Sequence, residues 1–278
     1  MIALSLTIIL TTILFLVFKE FLKRDINTHQ AITFNYLTAA LIALFIGDVD
    51  YNIYNLINTD WFYSTIALGI FFIVMFNIMA ITTQKLGISI SSMASKMSLI
   101  IPVIGAVIFQ NASIGVYKIL GIMIAIISVY LTFKKSGQTA KPTLAIILFL
   151  GAGILDMWLD SIRNNFLSST VDFNLFIVTV FFIAFSVGLI KVIWDRKRII
   201  KRNIVAGIVL GVPNYFSIYF VLLALKNLGG IYVFPILNIG VVLLSTIISW
   251  LFYQEQMSKI NWMGIVLACL SILIILWN

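Results

Sequence analysis

Cysteine and histidine, which do much of the chemistry in metal sites and active sites, are almost missing from this chain. Its 278 residues hold one of each, Cys269 and His29. A single cysteine excludes a disulfide framework and a thiolate metal site, and His29 has no ligand-like neighbour in sequence. Charge is scarce as well. Only 10% of residues are Asp, Glu, Lys or Arg, where a soluble domain carries about a quarter. No HExxH, P-loop, nucleophile elbow or aspartate-rich pyrophosphate-metal motif occurs. Gly151-Ala-Gly153 lies inside an apolar run with no strand before it, so it is not a dinucleotide fingerprint. These absences predict a protein that is not an enzyme and has no metal, no cofactor and no nucleic-acid partner. The net charge of +8 resides in short loops, where it sets orientation.

Apolar residues are what the chain has in quantity, at 62%. Runs long enough to cross a hydrocarbon core about 30 Å thick occur at 2–18, 30–47, 61–83, 88–109, 114–133, 143–161, 174–194, 203–225, 230–253 and 260–277. Residues 2–18 lack a basic region before them and an Ala-x-Ala-like site after them, and are read as the first span rather than a cleavable signal. Tight turns are expected at Leu86-Gly87 and Leu228-Gly229, 142 residues apart. Gly121-Ile-Met-Ile-Ala-Ile-Ile-Ser128 returns as Gly264-Ile-Val-Leu-Ala-Cys-Leu-Ser271 at a shift of 143. The expected fold is therefore an all-α integral membrane protein of ten transmembrane helices in two five-helix repeats, 1–135 and 142–278, joined by a linker at 136–141. An odd number of spans per repeat inserts the second copy the other way up, which is transporter geometry.

One span carries a cation. Lys96 follows Ile88 by about 12 Å at a helical rise of ~1.5 Å per residue, near mid-membrane. Ser89, Ser92 and Ser95, with Ser91 and Ser98, give that helix a polar side, and Pro102 should loosen its ladder one to two turns beyond Lys96. An ionisable group at that depth marks a functional site by default; the alternative is that Lys96 snorkels along the serine track to one surface. The repeat shift of 142 sets Asn238 opposite Lys96, and Pro235 with Gly229-Gly230 is expected to loosen the ninth helix in the same way. Asn35, Tyr36, Asn77, Asp156, Trp158, Asn214, Tyr215 and Tyr219 are further polar or amphipathic residues in apolar runs. Their alternative role is to hydrogen-bond neighbouring helices. Asp156, the only acid well inside a span, is a candidate partner for Lys96, a proton carrier, or an interfacial acid beside Asp160 and Arg163. Gly207 and Gly211 form a GxxxG expected to bring helices close.

The Leu-Gly turns before the fourth and ninth spans, Pro102, and Phe252-Tyr-Gln-Glu255 followed by Trp262-Met-Gly264 resemble the EamA-type branch of the drug/metabolite transporter superfamily. The first repeat departs from that pattern, with Phe109-Gln-Asn111 where the glutamate would stand. The resemblance implies a secondary transporter or exporter of small metabolites such as amino acids, with a central cavity lined by both halves. From the residues, Lys96 is expected to hold the anionic group of a carboxylate-bearing solute. Asn238, Asn35, Asn77, Asn214, Tyr215 and Trp158 would contact the rest, and Asp156 would carry a coupling proton. Rival readings are a lipid-linked substrate flippase and a non-transporting receptor or assembly partner. Lys and Arg in loops number fourteen on the side of Lys23 and Arg24 against three on the other, which places the protein in the cell membrane with both termini outside. The resemblance implies the opposite orientation.

Overall fold

A computed structural model describes residues 1–47, 56–110, 115–133, 143–167, 170–228, 230–255 and 257–275. The proposed linker at 136–141, the acids Asp48 and Asp50, and Gly229 of the second Leu-Gly turn lie outside the described residues. The helices are α1 (Ile2–Lys23), α2 (Thr28–Ile46), α3 (Phe62–Leu86), α4 (Ile88–Met97), α5 (Ile100–Gln110), α6 (Val116–Phe133), α7 (Thr143–Phe166), α8 (Thr170–Trp194), α9 (Lys201–Leu228), α10 (Gly230–Tyr253) and α11 (Lys259–Ile275). Strands are absent among the described residues. Among the described residues, seven stretches have the length and hydropathy of a membrane crossing, and 119–128, 143–159 and 259–275 are shorter apolar helices. Large apolar side chains such as Phe45, Tyr130, Ile190 and Trp250 are exposed, as a lipid-facing surface requires.

The helices group into two compact units, each drawing on both halves of the chain. The first contains Met1–Lys19, Ile78–Ile154 and Ser217–Asn278; the second contains Glu20–Asn77 and Leu155–Phe216.

In the first unit α6 packs along α11 and α4 along α10. Small residues let α6 and α11 approach: a Cβ added at Gly121 would lie 3.1 Å from the Ser271 carbonyl oxygen. Gly121 lies in the second turn of α6 and Ile275 closes α11, and these two touch, while the Asn261 amide near the start of α11 donates to the Leu131 carbonyl near the end of α6 at 3.4 Å. The pair is antiparallel. Met93, Met97, Ala125, Val242, Ala268 and Ile272 fill the core between these four helices. Gly153, in the Gly-Ala-Gly run, is a packing residue: a Cβ there would fall 2.3 Å from Ile101 Cδ1.

In the second unit α2 packs along α8, also antiparallel, with Thr33 near the start of α2 against Gly188 near the end of α8. The GxxxG of α9 lies on the α2 backbone. Added Cβ atoms at Gly207 and Gly211 would stand 2.6 Å from the Ala31 carbonyl oxygen and 2.8 Å from that of Asn35. Tyr36, fully buried, donates its hydroxyl hydrogen to the Phe72 carbonyl at 3.1 Å and packs its ring on Phe76 and Phe181.

Candidate functional site

The fourth span is broken in two. Proline has no N–H to give the carbonyl four residues back, and its ring crowds that carbonyl. Here that carbonyl belongs to Ser98, which accepts instead from the Ile101 N–H at 2.9 Å in a tighter turn, while the Ser98 hydroxyl turns back to the Ser95 carbonyl at 2.5 Å. Helix α4 accordingly ends at Met97 and α5 starts at Ile100. The sequence reading put the loosening beyond Lys96, at Pro102. The structure corrects this: the proline acts one turn upstream of itself, so the interruption falls immediately after Lys96. Lys96 occupies the last turn of α4 and is half-buried. A cation there complements the negative end of the α4 dipole, and the positive end of α5 opens on the same break.

Helix α10 runs antiparallel along α4. Ser245 and Ser92 hydroxyls meet at 2.6 Å, and the end of α10 reaches the start of α4 through Glu255. Asn238, Val242, Ser245 and Ser249 share one face of α10 by their spacing. Val242 packs with Met93, Met97 and Ile100, so Asn238, one turn further along, lies level with the break. Asn238 is buried. Contrary to expectation, α10 is continuous from Gly230 to Tyr253. Residue 235 sits in its second turn, where a missing donor removes a single ladder bond near an end that frays in any case.

The opposite end of α4 is held by Glu255. Its carboxylate accepts from the Ile88 N–H at 2.8 Å, from the Ser89 N–H and hydroxyl at 3.3 Å each, and from the Ser249 hydroxyl. Lys19 stands 3.5 Å away. The carboxylate therefore closes the α4 N-terminus, where unsatisfied N–H groups and the dipole favour an anion. Gly87, at φ +102°, makes the turn, and a Cβ there would lie 2.6 Å from Glu255 Oε1. A pocket of about 440 Å³ opens beside this cap, lined by Lys19, Lys85, Gly87, Ser89, Gln254, Glu255 and Asn261 among others. Glu255 entered the sequence reading only as part of a family pattern. Its partners on α4, Ile88 and Ser89, are 167 and 166 residues away in sequence, and no local signal points to them.

The remaining candidates belong to the second unit. Asn35 is fully buried on α2, and neither its amide nitrogen nor its oxygen has a hydrogen-bond partner among the described residues. The Asn77 amide donates to the Ile73 carbonyl of its own helix at 2.7 Å. Asn214 and Tyr215 are buried on α9. Trp158, half-buried on α7, rests its ring 6.4 Å from that of Phe71, and Asp156 on the same helix is exposed. Among the described residues no group of three His, Cys, Asp or Glu could hold a metal ion.

Compared with known proteins, residues 143–277 match the EamA-like transporter family. An uncharacterised protein of Haemophilus influenzae is 32% identical over 264 residues, covering 90% of this chain and 89% of the relative.

Proposed function

Because the chain belongs to the EamA-like transporter family, whose members are membrane transporters of small molecules, we propose that it carries a carboxylate-bearing metabolite, an amino acid or organic acid, by alternating access at the break between α4 and α5. One observation carries this reading: a half-buried lysine at the mouth of an interrupted span. Interrupted helices supply cation, dipole and unwound backbone together, which a carboxylate needs and an unbroken helix cannot offer. Asn238, level with the break, is the natural hydrogen-bond partner for the rest of the solute.

The inverted five-helix repeats belong to the same reading. The pairs α2 with α8, α4 with α10 and α6 with α11 are those that a shift of 142 or 143 residues equates, and each is antiparallel. Inverted copies related by an axis in the membrane plane would pack in this way. The matched stretch 143–277 also has the extent of one repeat. Within the second unit, Asn35, Asn77, Asn214, Tyr215 and Trp158 are the proposed further solute contacts, and Asp156 the proposed carrier of a coupling proton.

Thermal-shift screening of purified protein against amino and organic acids tests this. A ligand at 100 times its Kd stabilises by roughly 2.7 kcal/mol, and Lys96→Met should abolish that shift and the matching transport in vesicles. Undiminished transport of the same acid by Lys96→Met would overturn the assignment.

A further inference from the structure

The link between α8 and α9 is densely cationic, and its charges outnumber the acid in the same stretch, Asp195. Arg196, Lys197, Arg198 and Lys201 follow one another within six residues, all exposed, and none has an acidic partner within salt-bridge distance among the described residues. Two of the acids close by are paired with other cations. Lys191 donates to Asp195 at 2.9 Å, which holds that carboxyl below its ordinary range and so ionised, and Glu20 is paired with Lys23 and Arg24.

The link is also fixed in place. Arg196 adopts φ +50° as it leaves α8, and the following backbone is tied to the α1–α2 turn by buried amides. The Gln30 side chain donates to the Arg198 carbonyl at 3.1 Å, Asn203 donates to the Gln30 side-chain oxygen at 2.7 Å, and the Asn27 N–H donates to Asn203 at 3.2 Å. Arg202 donates to the Arg24 carbonyl. Orienting the spans would require only the charges. A string of cations held by buried hydrogen bonds is a surface whose shape is set in advance.

Apolar side chains lie among the cations. Trp194 is 83% exposed, and Ile199 and Ile200 are exposed within the run itself. A free phosphate or soluble anion has no use for them, whereas a phospholipid offers a phosphate to the cations and glycerol and acyl carbons to the ring and the isoleucines. Since α8 and α9 emerge from the bilayer on either side of the link, such lipids are already its neighbours.

We propose that this link is a binding site for anionic phospholipid headgroups. The test uses the full-length protein extracted from membranes, with native mass spectrometry counting phosphatidylglycerol and phosphatidylcholine retained from mixed micelles. Wild-type protein should retain phosphatidylglycerol over phosphatidylcholine. Each cation removed from the set Arg196→Gln, Lys197→Gln, Arg198→Gln and Lys201→Gln should lower that preference about fivefold. Lys134→Gln, Lys135→Gln and Lys141→Gln together, in a different basic loop, should leave it intact. Raising salt to about 1 M, where the screening length falls to about 3 Å, should release the lipid from wild-type protein and gives a readout that needs no variant to fold. Equal retention of both lipids, retention indifferent to salt, equal loss in the control variant, or full competition by inorganic phosphate at millimolar concentration would each overturn the proposal.

Discussion

Glu255 and Gly87 show how much can depend on two side chains at one helix end. The carboxylate collects bonds from two backbone N–H groups and two hydroxyls of the first unit, while its ion pair with Lys19, at 3.5 Å, is partly solvated. A hydrogen bond to a charged group contributes about 1.5–3 kcal/mol, whereas a partly exposed ion pair contributes about 0–1 kcal/mol. Glu255→Gln should therefore lower the unfolding temperature in detergent clearly more than Lys19→Met. Gly87→Ala combines a backbone conformation that side chains avoid with a clash against the same carboxylate, and should cost about 1–3 kcal/mol in that measurement. Asn35 predicts the opposite sign. Its unpaired amide is a burden of about 1–3 kcal/mol, so Asn35→Leu should raise stability while diminishing transport of whatever acid the screen identifies. Stability gained with transport unchanged would make Asn35 a structural residue only.

The elements repeat this pattern of small residues deciding large distances. The GxxxG of α9 was legible from spacing alone, and its partner is the α2 backbone. Gly211→Val should force these helices apart and cost about 1–3 kcal/mol as overpacking, visible as a lowered unfolding temperature. Tyr36 packs its ring between helices, on Phe76 and Phe181, and the Trp158 ring lies beside that of Phe71. The break between α4 and α5 gives a direct assay, because Cys269 is the chain's single cysteine. In a Cys269→Ser background, Lys96→Cys should react with a water-soluble, membrane-impermeant thiol reagent. Adding Pro102→Ala, which restores a donor for the Ser98 carbonyl, should slow that reaction about tenfold or more by closing the gap in the ladder. Labelling that ignores residue 102 would detach the break from the site.

At the scale of the whole molecule, the imbalance of loop cations bears on orientation. Counted on ten expected spans, fourteen Lys and Arg residues would share one side, those of the α8–α9 link among them. A reporter enzyme that works only outside the cytoplasm, fused after Asn278, is expected to be active, and a cytoplasmic reporter at the same point inactive. The reverse pattern would restore the orientation that the family resemblance implies. The compact units cut across the chain's halves, so truncation at 136–141 should give no stable fragment, which size-exclusion chromatography of each half would check.

Membrane class, the all-helical fold and the approximate extent of most apolar helices were legible in the sequence, because hydropathy acts over a window of residues, and a lysine in an apolar run needs no neighbour to be conspicuous. Three things required the tertiary structure. Helix α4 ends immediately after Lys96, because a proline disrupts the carbonyl a turn behind it rather than its own position. Helix α10 remains whole despite its own proline, since the lost donor falls near a frayed end. Glu255 caps α4 from the far half of the chain, and contacts made across more than 160 residues leave no periodicity for a sequence to show.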